Sequence, residues 1–394
     1  MNDGNGVPQL PIYMDHHATT PVDPRVLETM LPYFTEHFGN AASIDHEYGA
    51  VAGRAVETAR QQIASLINAR PDEIIFTSGA TESNNLAILG AAERYADRGN
   101  HIITCVTEHK AVLDPCQYLE RKGWRVTYLP VDQYGLVDPE TLRQEITPET
   151  VLISIMTANN EIGTIAPVEE IGHIAREHGI LFHTDATQAV GKIPMDVQSM
   201  NIDMLSLSAH KMYGPKGVGA LYVSKRRPRV RLAEQIHGGG HERGMRSGTL
   251  NVPGIVGLGK AVELCGQEMN AEAKRLRELH DGLWTGLQTE LESVELNGHP
   301  EKRLPHNLSF AIPGVESRSL LVQLKDQVSL STGSACTTAE VEPSHVILAL
   351  GFGENRAYSS LRLGLGRENS EADVKCVVEL MCEIVERIRK LVNI

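Results

Sequence analysis

No CxxC pair occurs among the six cysteines, at positions 105, 116, 265, 336, 376 and 382, and none stands at metal-site spacing from a histidine. In a chain of 394 residues this argues against a disulfide framework and fits a reducing cytoplasm. No apolar run is long enough to span a bilayer. The opening "MNDGNGVPQLPIY" lacks the basic and apolar regions of a signal peptide. Positive charge is short as well. The 37 Lys and Arg against 50 Asp and Glu leave a net charge of -13, which argues against non-specific binding to nucleic acid or an anionic membrane. "KRRPRVR" (225–231) is the only dense basic run and is expected to form a solvated loop, or a docking surface for an acidic partner. Internal repeats and low-complexity segments are absent.

What is present is an alternation. "EIIFTSG" leads into "ATESNNLAILGAAERYA", and "HIITCVTEH" into "KAVLDPCQYLERKG". "VLISIMT" precedes "VEEIGHIAREHG", and "ILFHTDA", "MLSLSAH" and "GALYVSK" follow. Continuous β-branched runs between amphipathic segments predict buried, mostly parallel strands with crossover helices. From about 252 the pattern turns long and helical, and an α+β-looking tail follows, with strands near "LSFAIPG" and "VSLSTGS" and a last helix through "VKCVVELMCEIVERIRKLV". A domain boundary is therefore expected inside the helical stretch near 260.

Several polar groups fall at predicted strand ends, where open α/β sheets collect ligands. Lys211, in "SLSAHKMYGPKGVG", follows a strand-like run; it is either a surface lysine or an amine desolvated enough to form a Schiff base. "GPKG" lacks the GxxxxGK pattern of a nucleotide loop. Asp185 ends "ILFHTD", where it either caps the following segment or faces a cation such as a protonated pyridine nitrogen. Gln188 lies within reach of a phenolate oxygen on the same ring. In "TSGATESNN" the backbone N–H groups of Ala80 and Thr81 open a helix, which makes an anion site or an ordinary capped start. Ser208 and His210 add donors from the other side.

His109 suits stacking on an aromatic cofactor and proton transfer, or a structural place. Asn159 and Asn160 follow "LISIMT"; a turn suits Asn159 better. Arg362, inside the apolar run "SSLRLGLGR", wants a bidentate carboxylate from the protein or from an amino acid. Cys336, in "STGSACTTAEVEPSH", sits among small hydroxylic residues, where reactive thiols tend to lie. Together these groups describe a pyridoxal-phosphate site for an α-amino acid.

Over essentially its full length, from "YMDHHATTPVDPRV" to "SSLRLGLGR", the chain resembles the cysteine desulfurases of the NifS/IscS type, within the class V aminotransferases of PLP fold type I. The most specific pieces are "GGGHERGMRSGT", the Lys211 segment and "TGSACTT". The resemblance implies an α/β fold, with a large domain (16–260) on a mixed, mostly parallel seven-stranded sheet, and a smaller α+β domain (1–15 and 261–394) carrying a mobile cysteine loop.

It further implies Lys211 as the Schiff-base lysine, His109 as the stacking residue, Asp185 at the pyridine nitrogen and Gln188 at the ring hydroxyl. Asn160 would lie close to ring and substrate. Ala80, Thr81, Ser208 and His210 would hold the phosphate, joined by Thr249 of a partner subunit, and Arg362 would clamp the substrate carboxylate. The expected reaction turns L-cysteine into L-alanine and leaves a persulfide on Cys336 for iron–sulfur cluster assembly or other thiolation. The implied partners are a second copy in a homodimer and acceptor proteins such as an iron–sulfur scaffold. No resident metal is expected, although the persulfide would transiently ligate a nascent cluster. A selenocysteine lyase, or another lyase or aminotransferase of the same fold, is the competing expectation. The chain stops at "KLVNI", without the longer tail of some scaffold-docking members.

Overall fold

The computed structural model describes residues 8–226, 229–332 and 342–391. Among the described residues twelve strands run in chain order as β1 (Ile12–Tyr13), β2 (Ile74–Thr77), β3 (His101–Cys105), β4 (Arg125–Leu129), β5 (Thr150–Ser154), β6 (Leu181–Asp185), β7 (Met204–Ser208), β8 (Gly219–Val223), β9 (Glu295–Leu296), β10 (Asn307–Ala311), β11 (Val328–Ser329) and β12 (Ser360–Gly364).

Seven of them make one sheet in the order β2-β8-β7-β6-β5-β3-β4. Only β8 runs against its neighbours. The other six therefore end at one edge. Alternate side chains leave opposite faces of a strand, and here both faces are apolar. Ile74, Phe76, Ile103, Cys105, Ile153 and Leu205 join one core, and Ile75, Ile102, Leu152 and Met204 join another. The first core is covered by the helices Glu47–Leu66 and Val168–Glu177 and the start of the helix Val252–Glu290. The second is covered by Ala80–Tyr95 and Lys110–Arg121. This is an α/β fold on a mixed, mostly parallel sheet.

The six runs read from the sequence are the six strands buried on both faces. β4 is the seventh and was not read. It closes an edge, and its residues Arg125 to Tyr128 are exposed or half-buried, so it carries no continuous apolar signal.

A separate core joins Ile12 and Met14 to Leu276, Leu283, Phe310, Leu363 and Met381. Around it lie the antiparallel sheet β12-β10-β9 and the parallel pair β1-β11. The 39-residue helix Val252–Glu290 serves both regions. Val252 to Cys265 pack in the first core, and Leu276 to Leu287 in this one. A bridge from Asp15 to Gly364 ties the end of β1 to β12, so both chain ends meet beside the large sheet.

The basic run is less free than a solvated loop. Lys225 Nζ reaches Asp72 at 2.7 Å, and Arg226 donates to the Ile202 carbonyl at 2.6 Å. Arg227 and Pro228 lie outside the described residues. No helix among the described residues is long and apolar enough to cross a membrane.

Candidate active site

A cleft of about 670 Å³ opens at the carboxyl ends of the parallel strands. Ala80, Thr81, His109, Asn160, Asp185, Gln188, Ser208, His210, Lys211 and Arg362 all line it. Their positions follow from the topology: each stands in or just after a strand of the large sheet, except Arg362, which β12 brings in from the other core.

Gly79 starts one wall. Its φ of 151° suits glycine, and it opens the helix Ala80–Tyr95 with no side-chain cap. The first N–H groups of that helix thus face the cleft as an anion site. Gly219 permits this closeness, since a Cβ there would stand 2.7 Å from Gly79 Cα. Across the turn, a Cβ on Gly79 would be 3.8 Å from Ser208 Oγ, so the two walls converge. His210 donates or accepts at Thr19 Oγ1 (3.1 Å) and is held neutral, its pKa lowered to about 4 by burial and by Lys211.

Lys211 follows in a short 3-10 turn. Its Nζ donates to the His17 carbonyl, and to the Ala18 carbonyl at 2.7 Å. Burial, then the charge of Arg362, brings its pKa down to about 8. A neutral amine is therefore accessible near physiological pH, as imine chemistry requires.

Asp185 is buried at the end of β6. Asn84 Nδ2 donates to Oδ2 at 2.7 Å and Thr187 N to Oδ1 at 3.0 Å. The cap reading is thus part of its geometry. Among the described residues it forms no ion pair, although a carboxylate so buried favours a cation. Glu108, fully buried nearby, has its carboxyl pushed well above the usual range by burial and by Asp185. Burial at this place thus favours the neutral form of Glu108.

His109 is exposed and caps the helix Lys110–Arg121, its Nδ1 accepting from Ala111 N at 3.0 Å. In the neutral ring the proton is then on Nε2. Asn159 makes the turn, its Oδ1 accepting from Glu161 N and Ile162 N. Asn160 faces the cleft, and its carbonyl accepts from Arg362 Nη1 at 2.8 Å. Arg362 also donates from Nη2 to Asp15 Oδ1 at 2.9 Å. A protein carboxylate therefore takes part of its donor set, while the guanidinium still borders the cleft.

Thr249 is exposed and does not line this cleft. Cys336 lies outside the described residues. On either side of the segment 333–341, however, the chain is fixed at the cleft. Ser331 exchanges backbone hydrogen bonds with Arg362, and His345, a lining residue, bonds the Glu108 carbonyl at 3.1 Å. Cys105, Cys116 and Cys265 are buried, whereas Cys376 and Cys382 are only half-buried at the rim of the separate core around Phe310 and Met381.

Asn84, Asp15, His17 and Glu108 were missed in the sequence. The signal for Asn84 was a polar residue on the buried face of an amphipathic helix, and for Glu108 a carboxylate directly after a buried strand. No group of His, Cys, Asp and Glu among the described residues could hold a metal.

The buried carboxylate lacking a cation, the desolvated lysine and the uncapped helix turn fit pyridoxal phosphate: ring nitrogen, aldehyde and phosphate respectively. Fold and cleft together define a pyridoxal-phosphate enzyme of fold type I. Residues 12–377 match the family model for aminotransferase class V, and the chain belongs to that family. It is 55% identical over 383 residues to the cysteine desulfurase IscS of Anaeromyxobacter dehalogenans, covering 97% of this chain and 94% of the relative. It is 51% identical over 391 residues to the cysteine desulfurase IscS of Rickettsia felis, covering 99% and 95%. A solved NifS-like protein superposes with a TM-score of 0.89 at 39% identity, covering 96% of this chain and all of the other.

Proposed function

We propose that the chain converts L-cysteine to L-alanine and transfers the sulfur to Cys336. The observation that carries this reading is the convergence of Lys211, Asp185 and Arg362 on one cleft, bordered by both flanks of the Cys336 segment. Relatives at 51–55% identity that are named cysteine desulfurases support it. Pyridoxal phosphate, when bound, supplies the electron sink that lets the α carbon lose its proton.

Asp185 would hold the ring nitrogen, Gln188 the ring oxygen, and Ala80, Thr81, Ser208 and His210 the phosphate. Lys211 Nζ anchors the cofactor and takes the α proton. Arg362, at the border of the cleft, would bind the substrate carboxylate, and His109 Nε2 moves a proton beside the departing sulfur. The Cys336 thiolate attacks the substrate sulfur. An S–S bond forms, the substrate C–S bond breaks with its electron pair left on the β carbon, and that carbon takes up a proton. The products are alanine and a persulfide, which a reductant or an acceptor thiol then discharges. The persulfide supplies an iron–sulfur scaffold or another acceptor and transiently ligates the nascent cluster, which is cargo.

The same reading divides the chain into a large domain (16–260) and a small one built from both ends. It makes the chain a homodimer in which Thr249 reaches the partner's phosphate. Exposed Leu31, Phe34, Phe38, Ile44 and Tyr48 cluster on one stretch of sequence and offer the apolar surface that a dimer needs. Unpaired buried thiols fit the cytoplasm.

The test is incubation with L-cysteine and a reductant, scoring alanine and sulfide together. Wild type should release both in equal amounts and carry one added sulfur on the Cys336 peptide after brief exposure. Cys336→Ser should keep the cofactor and its spectral response to cysteine yet release almost none of either. Turnover by Cys336→Ser at the wild-type rate would overturn the assignment.

A further inference from the structure

Behind the cleft a chain of buried polar side chains, Arg303, Asn307 and His17, leads to Gln188; the reaction above gives the first three side chains no role. All four are at most 7% exposed. Arg303 has no carboxylate partner among the described residues; it donates to the Asn307 Oδ1 at 2.8 Å and to the Ile162 carbonyl at 3.2 Å. Burial lowers its pKa to about 9, which leaves it cationic at neutral pH.

A guanidinium has donors and no acceptor. Asn307 must therefore present its carbonyl oxygen to Arg303, and its amide nitrogen is turned the other way. That nitrogen donates to the Glu161 carbonyl at 3.1 Å and meets His17 Nε2 at 3.1 Å. The flipped amide would set N–H against guanidinium and carbonyl against carbonyl. Buried mismatches of this kind cost the full desolvation of the groups involved.

With a donor on Nε2, His17 must accept there. Burial, then the charge of Arg362, holds the ring neutral, so its single proton sits on Nδ1. That nitrogen is 3.1 Å from Gln188 Oε1, which it meets as donor. Gln188 Nε2 in turn donates one N–H to the His17 carbonyl at 3.1 Å and keeps a second beside the cleft.

We propose that Arg303, through Asn307 and His17, fixes the Gln188 amide with its nitrogen toward the cleft, so that it donates to the cofactor's ring oxygen. Arg303, Asn307 and His17 are positioning residues. A mispointed Gln188 would set its carbonyl against a negative oxygen. The inference rests on the reading that Gln188 serves the ring oxygen.

The first test uses the cofactor-free wild type. Nitrogen NMR of the imidazoles should show neutral His17 with its proton on Nδ1; a proton on Nε2 would overturn the relay. The second uses Asn307→Asp, of the same shape. Its carboxylate can only accept, so the His17 proton should move to Nε2, leaving a lone pair facing Gln188 Oε1. His17 retaining an Nδ1 proton in that variant would overturn the relay too.

In the cofactor-loaded protein the visible absorbance titrates the proton shared between ring oxygen and Lys211 nitrogen. Losing a donor makes the oxygen hold that proton more tightly, so the midpoint should rise by about one pH unit, a tenfold change, in Asn307→Asp and in Gln188→Leu alike. A shift in Gln188→Leu with none in Asn307→Asp would refute the relay. No shift in Gln188→Leu would instead refute the ring-oxygen reading, and the inference with it.

Discussion

Asn84, from the second turn of a helix on one face of the sheet, gives a 2.7 Å hydrogen bond to the buried carboxylate of Asp185 at the end of β6. Hydrogen bonds to a charged group are worth roughly 1.5–3 kcal/mol. This one holds the carboxylate that the proposed function sets against the ring nitrogen. Asn84→Ala should therefore weaken cofactor binding about tenfold or more, measured by equilibrium dialysis of pyridoxal phosphate against the cofactor-free protein.

Lys211 makes the cofactor-free protein pH-sensitive. Its pKa is about 8 in the fold, against an ordinary 10.5. Between those values the unfolded chain binds the proton and the folded one does not, so stability rises with pH across the window. Below about 8 the full cost of burying the cation is present. Lys211→Met should stabilise the cofactor-free protein at neutral pH, and the gain should shrink toward pH 10.5. Urea midpoints of both proteins across that window check the sign.

Arg362 bonds Asp15 and the Asn160 carbonyl and borders the cleft. On its proposed role, removing it takes a charge-assisted contact from the amino-acid carboxylate, and Arg362→Ala should lower kcat/KM at least about tenfold. If Arg362 served only Asp15, steady-state kinetics with L-cysteine would not change on that scale.

Glu242 answers for the glycine-rich "GGGHERG". It pairs with Arg60 through two hydrogen bonds of 2.8 and 2.9 Å, both side chains buried, and accepts from Phe76 N at 2.7 Å. Glu242 and Arg243 have φ of 47° and 61°, a left-handed turn that this pairing holds in place. Glu242→Ala leaves a buried guanidinium and should cost about 3–5 kcal/mol in chemical denaturation. Replacing Arg60 and Glu242 together with apolar residues should cost less than either single change.

Six strands and the lysine, aspartate and arginine of the cleft were legible because each rests on local pattern: a buried run, then a polar residue at its end. β4 was not legible, since an edge strand exposes the side chains that would mark it. Nor was the pairing of Arg362 with Asp15 or of Asp185 with Asn84. Those partners are 347 and 101 residues apart, and only the meeting of the chain ends and the packing of helix on sheet bring them together. The Arg303–Asn307–His17 chain was invisible for the same reason: each member reads singly as an ordinary buried polar residue.

The meeting of β1 and β12 at Asp15 and Gly364 also sets an order of events during synthesis. By the time Lys211 leaves the ribosome, the helix start at Ala80, Asp185 and the His17 carbonyl have all been made. Arg362 belongs to a strand near the far end of the chain, and it reaches Asp15 only once β12 has docked. A nascent or prematurely ended chain therefore has the lysine, the aspartate and the helix start of the cleft before it has the cleft's arginine.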